Sequence, residues 1–185
     1  PHFISTVVIV GILKQMLNPS YGVVNAVITR FGGAKINFLG DPSLFRTLYI
    51  GSGVWQNMGW SSIIFLSALS AIDPELHDAA KMDGANILRR IWHIDIPGIL
   101  PTIVILLIMS FGSFMSVGFE KVYLMQNDMN LSVSETINTY VYKVGMNNGN
   151  YSFGTAIGLL QSVIGFILIV MVNYLSKWLS DVSLW

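Results

Sequence analysis

Long stretches without a charged residue constrain what this chain can fold into. The first runs from Thr47 to Ile72 and the second from Ile96 to Phe119. Each exceeds the roughly 20 residues that a helix needs to cross the hydrocarbon core of a bilayer. A third such stretch spans about Phe153 to Ser176. A fourth candidate, Phe3 to Leu17, is shorter and contains Lys14, whose side chain can extend towards the membrane surface.

The composition is that of a membrane protein. Hydrophobic residues make up 53% of the chain and charged residues only 11%, whereas a soluble domain carries about 25% charged residues. The net charge of zero argues against a nucleic-acid partner bound by bulk electrostatics. The absence of cysteine excludes disulfides and thiolate metal sites. We therefore predict an all-α, polytopic transmembrane bundle with four spans, embedded in a lipid bilayer.

A charged segment from Ser70 to Pro97 separates two of the predicted spans. It holds half of the ten acidic residues of the chain. Asp73-Pro74-Glu75 is typical of a helix start, because aspartate caps free amides, proline suits the first turn and glutamate favours the positive end of the helix dipole. Gly84 predicts the helix end, since glycine adopts a left-handed conformation without steric cost. The segment therefore begins with a short, capped helix.

This first helix is predicted to present a narrow face, which is made of Leu76, Ala79, Ala80 and Asp83. A helix of about ten residues is marginal in isolation, so it must pack on something. Small side chains would let a groove on another protein approach closely. The alternative is a solvated loop that merely joins two spans.

A second short helix is predicted after Gly84. Asn86 is suited to cap it, and it would place Leu88, Ile91 and Trp92 on one side. Pro97 and Pro101 are then expected to begin the next span.

The order of residues in this segment resembles the "EAA" signature of ABC importer permeases. Asp78-Ala79-Ala80 is followed four residues later by Gly84 and then, after nine residues, by Ile94-Asp95-Ile96-Pro97. Aspartate replaces glutamate at Asp78 and isoleucine replaces leucine at Ile96, but the alanines, glycine, spacing and proline match. Other segments resemble the carbohydrate branch of the family, which includes aldouronate and polysaccharide importers: residues 37–42, 55–60, 68–70, 118–121 and 139–145.

The resemblance covers nearly the whole chain, residues 1–185. It implies the type I (MetI-like) permease fold and corresponds to the last four spans of a six-span protein, so we expect further spans before residue 1. It also implies a membrane-spanning subunit of an ATP-driven oligosaccharide importer in the bacterial inner membrane. Residues 73–95 would be a cytoplasmic coupling hairpin, with the C-terminus on the same side. Charge alone does not orient the spans, because basic residues are nearly balanced between the two sides.

The same resemblance implies partners and coupling residues. A separate ABC ATPase dimer would receive the hairpin, a second permease subunit of different sequence would complete the pore, and an extracytoplasmic sugar-binding protein would deliver the substrate. ATP would be bound by the ATPase, so no cofactor, metal ion or catalytic set is expected in this chain. The residues expected to couple to the ATPase are Asp78, Ala79, Ala80, Asp83, Gly84 and Pro97.

Polar residues within the second span are candidates for the substrate path. Gln56, Asn57 and Trp60 would be costly in lipid unless they face a cavity or a neighbouring helix. An aromatic ring beside amide groups suits a sugar, which can stack and form hydrogen bonds. The alternative is contact between helices or an interfacial tryptophan. From the third span, Ser113, Ser116 and Glu120 could line the same route, although Glu120 could equally mark the membrane boundary.

Glycines in the third and fourth spans predict close helix contacts. Gly112 lies in the third span, and Gly154, Gly158 and Gly165 follow a helical spacing in the fourth. Small residues of this kind let helix backbones approach one another within a bilayer.

The sequence is also compatible with other function classes. A permease for a solute other than a sugar, or a passive channel or scaffold, would share the predicted spans. A DNA-binding helix-turn-helix could place Ala80 and Gly84 before the basic pair Arg89 and Arg90. Such a recognition helix needs a basic, soluble surface, whereas this segment is net acidic and is flanked by predicted spans.

Overall fold

The computed structural model describes residues 1–115 and 118–180, and within these ranges the chain forms helices and turns without a strand. This confirms the predicted all-α fold. A π-helical turn, Ile91–Asp95, separates α5 from α6, and a second, Lys143–Asn147, follows α9. The α-helices are α1 (Thr6–Met16), α2 (Val23–Arg30), α3 (Pro42–Ser70), α4 (Pro74–Met82), α5 (Ile87–Arg90), α6 (Ile96–Gly112), α7 (Phe119–Met125), α8 (Leu131–Ser134), α9 (Ile137–Tyr142) and α10 (Tyr151–Ser180).

Two helical stretches are long and apolar enough to cross a membrane, namely Ile87–Gly112 and Tyr151–Trp178. They correspond to the predicted third and fourth spans. Helix α3 has 29 residues and is long enough, but its polar side chains make it less apolar than these two. Helix α1 has 11 residues, and about 16 Å of helix does not cross a core of about 30 Å. The spans predicted at α1 and α3 therefore remain predictions.

The described residues form two compact units. The first comes from within Pro1–Met58 and Ser116–Leu159, and the second from within Gly59–Met115 and Leu160–Trp185. The first unit has a small core that joins three helices, because α1, the start of α3 and α7 each bury apolar side chains there. The buried members of this core are Val10, Phe45, Val122 and Met125.

A buried asparagine closes the loop after α7 in the first unit. Asn130 has no exposed surface, and its amide donates to the carbonyl oxygens of Leu39 (2.9 Å) and Met125 (3.1 Å). Its side-chain oxygen accepts from the Asn127 amide (3.0 Å) and the Ser134 hydroxyl (2.9 Å). One side chain thus joins the loop before α3 to both ends of the α7–α8 connection.

Replacing Asn130 with alanine is expected to destabilise the first unit. The change leaves several buried polar groups without their partner, at a cost of about 2–3 kcal/mol. The thermal unfolding midpoint of the purified full-length protein in detergent should fall accordingly. Asn148→Ala is the matched control, since Asn148 is exposed, and it should unfold with the wild-type midpoint. Equal midpoints for both variants would contradict this role of Asn130.

Helices α6 and the later part of α10 approach closely within the second unit. A Cβ atom on Gly165 would lie 3.1 Å from the Gly112 carbonyl oxygen, and one on Gly112 would lie 2.6 Å from Ile169 Cδ1. The prediction that each of these glycines lies at a close helix contact is confirmed, although the sequence did not pair them. In the first unit, Gly154 lies beside Gly145, whereas a Cβ on Gly158 would meet nothing within 4 Å. The glycines of α10 therefore do not share one packing partner.

The second helix of the charged segment does not end before the next span. Helix α5 begins after Asn86 as predicted, but it continues through Ile91–Asp95 into α6. In the π-helical turn the Ile96 amide donates to the Ile91 carbonyl. This wider turn precedes Pro97, whose ring would clash with the carbonyl four residues back in a regular α-helix. The prediction of a separate short helix was wrong because it treated Pro97 as a helix start.

Candidate functional site

The charged hairpin begins and ends as its sequence predicts. The side chain of Asp73 accepts a hydrogen bond from the Glu75 amide at 2.9 Å, and Pro74 occupies the first turn of α4. Gly84 has a φ of +76°, a conformation that glycine adopts readily. Its amide donates to Lys81, and the next amide, of Ala85, donates to Ala80. The helix end is therefore well defined.

Side-chain contacts tie α4 to the helix that follows it. His77 Nε2 lies 3.2 Å from Asp95 Oδ1, which is in the π-helical turn. Asn86 accepts from the Arg89 amide at 2.9 Å and so caps α5. A force applied to α4 can thus reach α6 through the chain at Gly84 and through the His77–Asp95 contact.

The hairpin exposes a large apolar surface. Each of five large hydrophobic side chains is more than half exposed: Leu76, Met82, Ile87, Leu88 and Trp92. Ala79 is exposed and Ala80 is half-buried. Clustered exposed apolar side chains mark interaction surfaces. This surface is therefore suited to contact another molecule.

Two of the acidic residues predicted to couple, Asp78 and Asp83, are exposed as well. Asp78 accepts a hydrogen bond from Lys81 at 2.8 Å, and this bond, together with the lysine charge, lowers the pKa of the Asp78 carboxyl. Asp83 follows α4 as its C-terminal cap residue. Five of the predicted coupling residues lie on α4 or directly after it: Asp78, Ala79, Ala80, Asp83 and Gly84. Pro97 lies at the start of α6, beyond the Asp95 contact.

A cavity of about 870 Å³ lies in the first unit. Helix α3, the chain before α1 and the start of α7 form its walls. The α3 residues include Gln56 and Asn57. Gln56 is largely buried and donates to the Ile4 carbonyl at 3.3 Å. Asn57 is exposed, donates to the Gly53 carbonyl at 3.0 Å and lies 3.0 Å from the His2 ring.

The structure groups half of the predicted substrate-path residues. Gln56, Asn57 and Glu120 line the cavity. Trp60 and Ser113 belong to the second unit, where Trp60 is 45% exposed and the Ser113 hydroxyl donates to the Ser110 carbonyl. Ser116 lies outside the described residues. Sequence reasoning missed Lys121, which lines the same cavity and is only 8% exposed.

The sequence marked the buried face of α7 but not Lys121 itself. Helix α7 buries Lys121, Val122 and Met125, and the last two follow the spacing of one turn that marks a packed helix face. The lysine precedes this apolar pair directly. Glu120 and Lys121 are adjacent charged residues of this seven-residue helix, and the sequence gave no reason to place either of them inside. Only the packing of α7 on its neighbours shows that Lys121 is buried.

The comparisons with known proteins agree with this fold. Residues 1–181 match the family described as binding-protein-dependent transport system inner membrane component. The chain belongs to this family. The polygalacturonan/rhamnogalacturonan transport system permease protein YteP of Bacillus subtilis (strain 168) is 46% identical over 96% of this chain and 55% of its own length. Protein LplB of the same strain is 45% identical over 96% of this chain and 56% of its own.

Solved structures are also similar to this chain. The bacterial alginate ABC transporter, in complex with an alginate pentasaccharide-bound periplasmic protein, has a chain that superimposes with a TM-score of 0.95. Its sequence identity is 34%, and the match covers 100% of this chain and 64% of that one. The chain spans just over half the length of the curated relatives it matches, such as YteP and LplB. Family membership confirms the predicted permease fold. It also confirms the prediction that the chain belongs to a membrane transport component and not to an enzyme.

Proposed function

We propose that this chain is part of the membrane-spanning subunit of an ATP-driven oligosaccharide importer and couples to a separate ATPase through residues 73–92. The hairpin carries this proposal: it is capped at Asp73, turned at Gly84 and tied to α6 through His77 and Asp95. It also carries apolar side chains that the described part of the chain leaves more than half exposed. A loop that merely joins two spans requires neither a capped helix nor a side-chain contact to the next span.

The names of similar proteins support a sugar as the substrate. One relative is named for polygalacturonan and rhamnogalacturonan, and the solved transporter imports alginate, which is described as an acidic polysaccharide. The cavity of the first unit is compatible with such a ligand. Its volume suits a small number of sugar rings, and Asn57 offers an amide on its wall. Trp60 and Ser113 remain proposed contacts on the path.

The proposal includes an orientation and a set of partners. The hairpin and the C-terminus would lie in the cytoplasm, and the connections of the first unit at residues 18–41 would lie outside. An ABC ATPase dimer would hold the hairpin, and a second permease subunit, of different sequence, would complete the pore. A sugar-binding protein would dock from outside, as the solved alginate transporter is bound by its periplasmic protein.

The proposed mechanism follows from the rigid attachment of the hairpin. Closure of the ATPase dimer on ATP would move α4 of each permease subunit towards the other. Because α4 is tied to α6, the motion would reach the spans and turn the pore from inward-facing to outward-facing. Hydrolysis would reverse the motion. ATP itself would be bound entirely by the ATPase.

Reconstitution tests the proposal directly. The full-length protein, the second permease subunit and the ATPase would be placed in proteoliposomes with the binding protein outside. Trigalacturonate should stimulate ATP hydrolysis several-fold, and its uptake should require ATP. Uptake that continues without ATP would support a passive channel instead. ATP-dependent uptake of an unrelated probe, such as a tripeptide, with no response to sugar would support a permease for another solute.

A further inference from the structure

The ammonium group of Lys121 is buried at the cavity wall without an acceptor. The side chain is 8% exposed, and Nζ has no hydrogen-bond partner among the described residues. Its three donors therefore have no acceptor among these residues. Burial of an unpaired charge is costly unless a group of opposite charge compensates it. Native proteins rarely keep such a group without a reason.

The immediate surroundings of Lys121 provide only weak compensation. Nζ lies 5.6 Å from the centre of the Tyr49 ring, a cation–π contact that attracts the ammonium without satisfying its donors. Nζ also lies close to Gly53, where an added Cβ atom would be 3.6 Å away. Tyr49 and Gly53 are one turn apart on the α3 face that lines the cavity. The lysine therefore lies against the cavity wall.

No carboxylate of the first unit compensates this charge. Glu120, the adjacent residue, lines the cavity but forms no ion pair with Lys121 in the described part of the chain. Glu135, in the same unit, pairs with Lys143 at 2.9 Å. Burial accordingly lowers the pKa of Lys121. An anion that enters the cavity would oppose this effect and supply the missing acceptor.

We propose that Lys121 binds a carboxylate of the transported sugar and makes the cavity selective for acidic oligosaccharides, such as chains of uronic acid residues. This inference rests on the proposed function. Nζ is covered by its neighbours in this structure, so contact with the ligand requires rotation of the lysine side chain, whose four-carbon stem is flexible. Asn57, on the same wall, is placed to bind the uncharged hydroxyls. The lysine would thereby distinguish an acidic sugar from a neutral one of the same shape.

The test compares two sugars in the reconstituted full complex. Trigalacturonate carries carboxylates, and its fully methyl-esterified form is neutral. Lys121→Met removes the ammonium group and keeps an unbranched side chain that is one atom shorter. The measured quantity is the ratio of trigalacturonate uptake to ester uptake. We expect this ratio to be about tenfold lower in Lys121→Met than in wild type, because a hydrogen bond to a charged group contributes enough free energy for a change of that size. The selectivity of the binding protein is the same in both complexes and cancels in this ratio.

A second variant tests the charge without removing the lysine. Gly53→Asp places a carboxylate beside Nζ and should cause the same loss of preference for the acidic sugar. Gly53→Ala is its matched control, because a methyl group 3.6 Å from Nζ fits, and it should keep the wild-type preference. Equal loss of both sugars in Lys121→Met, or unchanged preference in both charge variants, would overturn the role of Lys121. A wild-type complex that imports neither sugar would instead overturn the proposed function.

Discussion

Replacing Gly84 with valine is expected to lower ATP-driven transport at least tenfold while the protein still inserts into the membrane. Gly84 has a φ of +76°, which is unfavourable for a β-branched residue by about 1–2 kcal/mol. A Cβ atom at Gly84 would meet nothing within 4 Å. The change therefore acts on the backbone turn that orients α4 and not through a clash. Uptake into vesicles, divided by the amount of protein in the membrane, measures this effect.

Two variants separate coupling from general strain. Gly149 has a φ of +73° and equally open surroundings, but it lies in the first unit. Gly149→Val should strain its turn to a similar extent and leave coupling intact. Gly84→Asn should retain most transport, because asparagine tolerates the left-handed conformation. Normal uptake by Gly84→Val would remove the basis for treating the hairpin as the coupling element.

A tryptophan in place of Ala79 is expected to abolish association with the ATPase. Ala79 is exposed on the narrow face of α4, and close approach of a partner groove depends on its small side chain. The bulky ring would hold the two proteins apart, whereas α4 itself should still form because its caps at Asp73 and Gly84 are unchanged. Co-purification of the ATPase with the full-length protein measures the association.

Lys81→Trp provides the matched control for that experiment. Lys81 lies on the opposite side of α4 and is exposed, so the same ring there should leave the ATPase bound. The variant loses the exposed Lys81–Asp78 ion pair, and pairs of this kind contribute little to stability. If both tryptophans reduce co-purification equally, the alanine face is not the contact surface.

Local signals in the sequence predicted the hairpin well. Asp73, Gly84 and Asn86 each act within a few residues of their position, as a cap or as a turn, and the structure confirms all three. Helix packing at Gly112 and at Gly165 was also foreseen, because small residues let helix backbones approach closely in a bilayer, but the sequence did not pair these two glycines with each other. These features could be predicted because their physical cause is encoded by a few residues.

Features that depend on several elements could not be predicted in this way. The continuation of α5 into α6 depends on a π-helical turn before Pro97, which no residue type specifies. Asn130 joins segments that are far apart in the sequence, so only the fold reveals its role. The grouping of Gln56, Asn57 and Glu120 in one cavity was partly foreseen, but Lys121 was not, because its burial results from the packing of α7.

Cross-linking tests the central claim of the account most directly. Ala79→Cys would be introduced into a full-length variant that contains no other cysteine, and it would be paired with cysteines in the cleft of the co-expressed ATPase. Ala34→Cys in the same background is the control, in a connection predicted to lie outside. We expect an oxidative cross-link from residue 79 that changes with ATP, while residue 34 is labelled by an impermeant thiol reagent from outside the cell. Labelling of residue 79 from outside, with no cross-link to the ATPase, would contradict both the orientation and the coupling role of the hairpin.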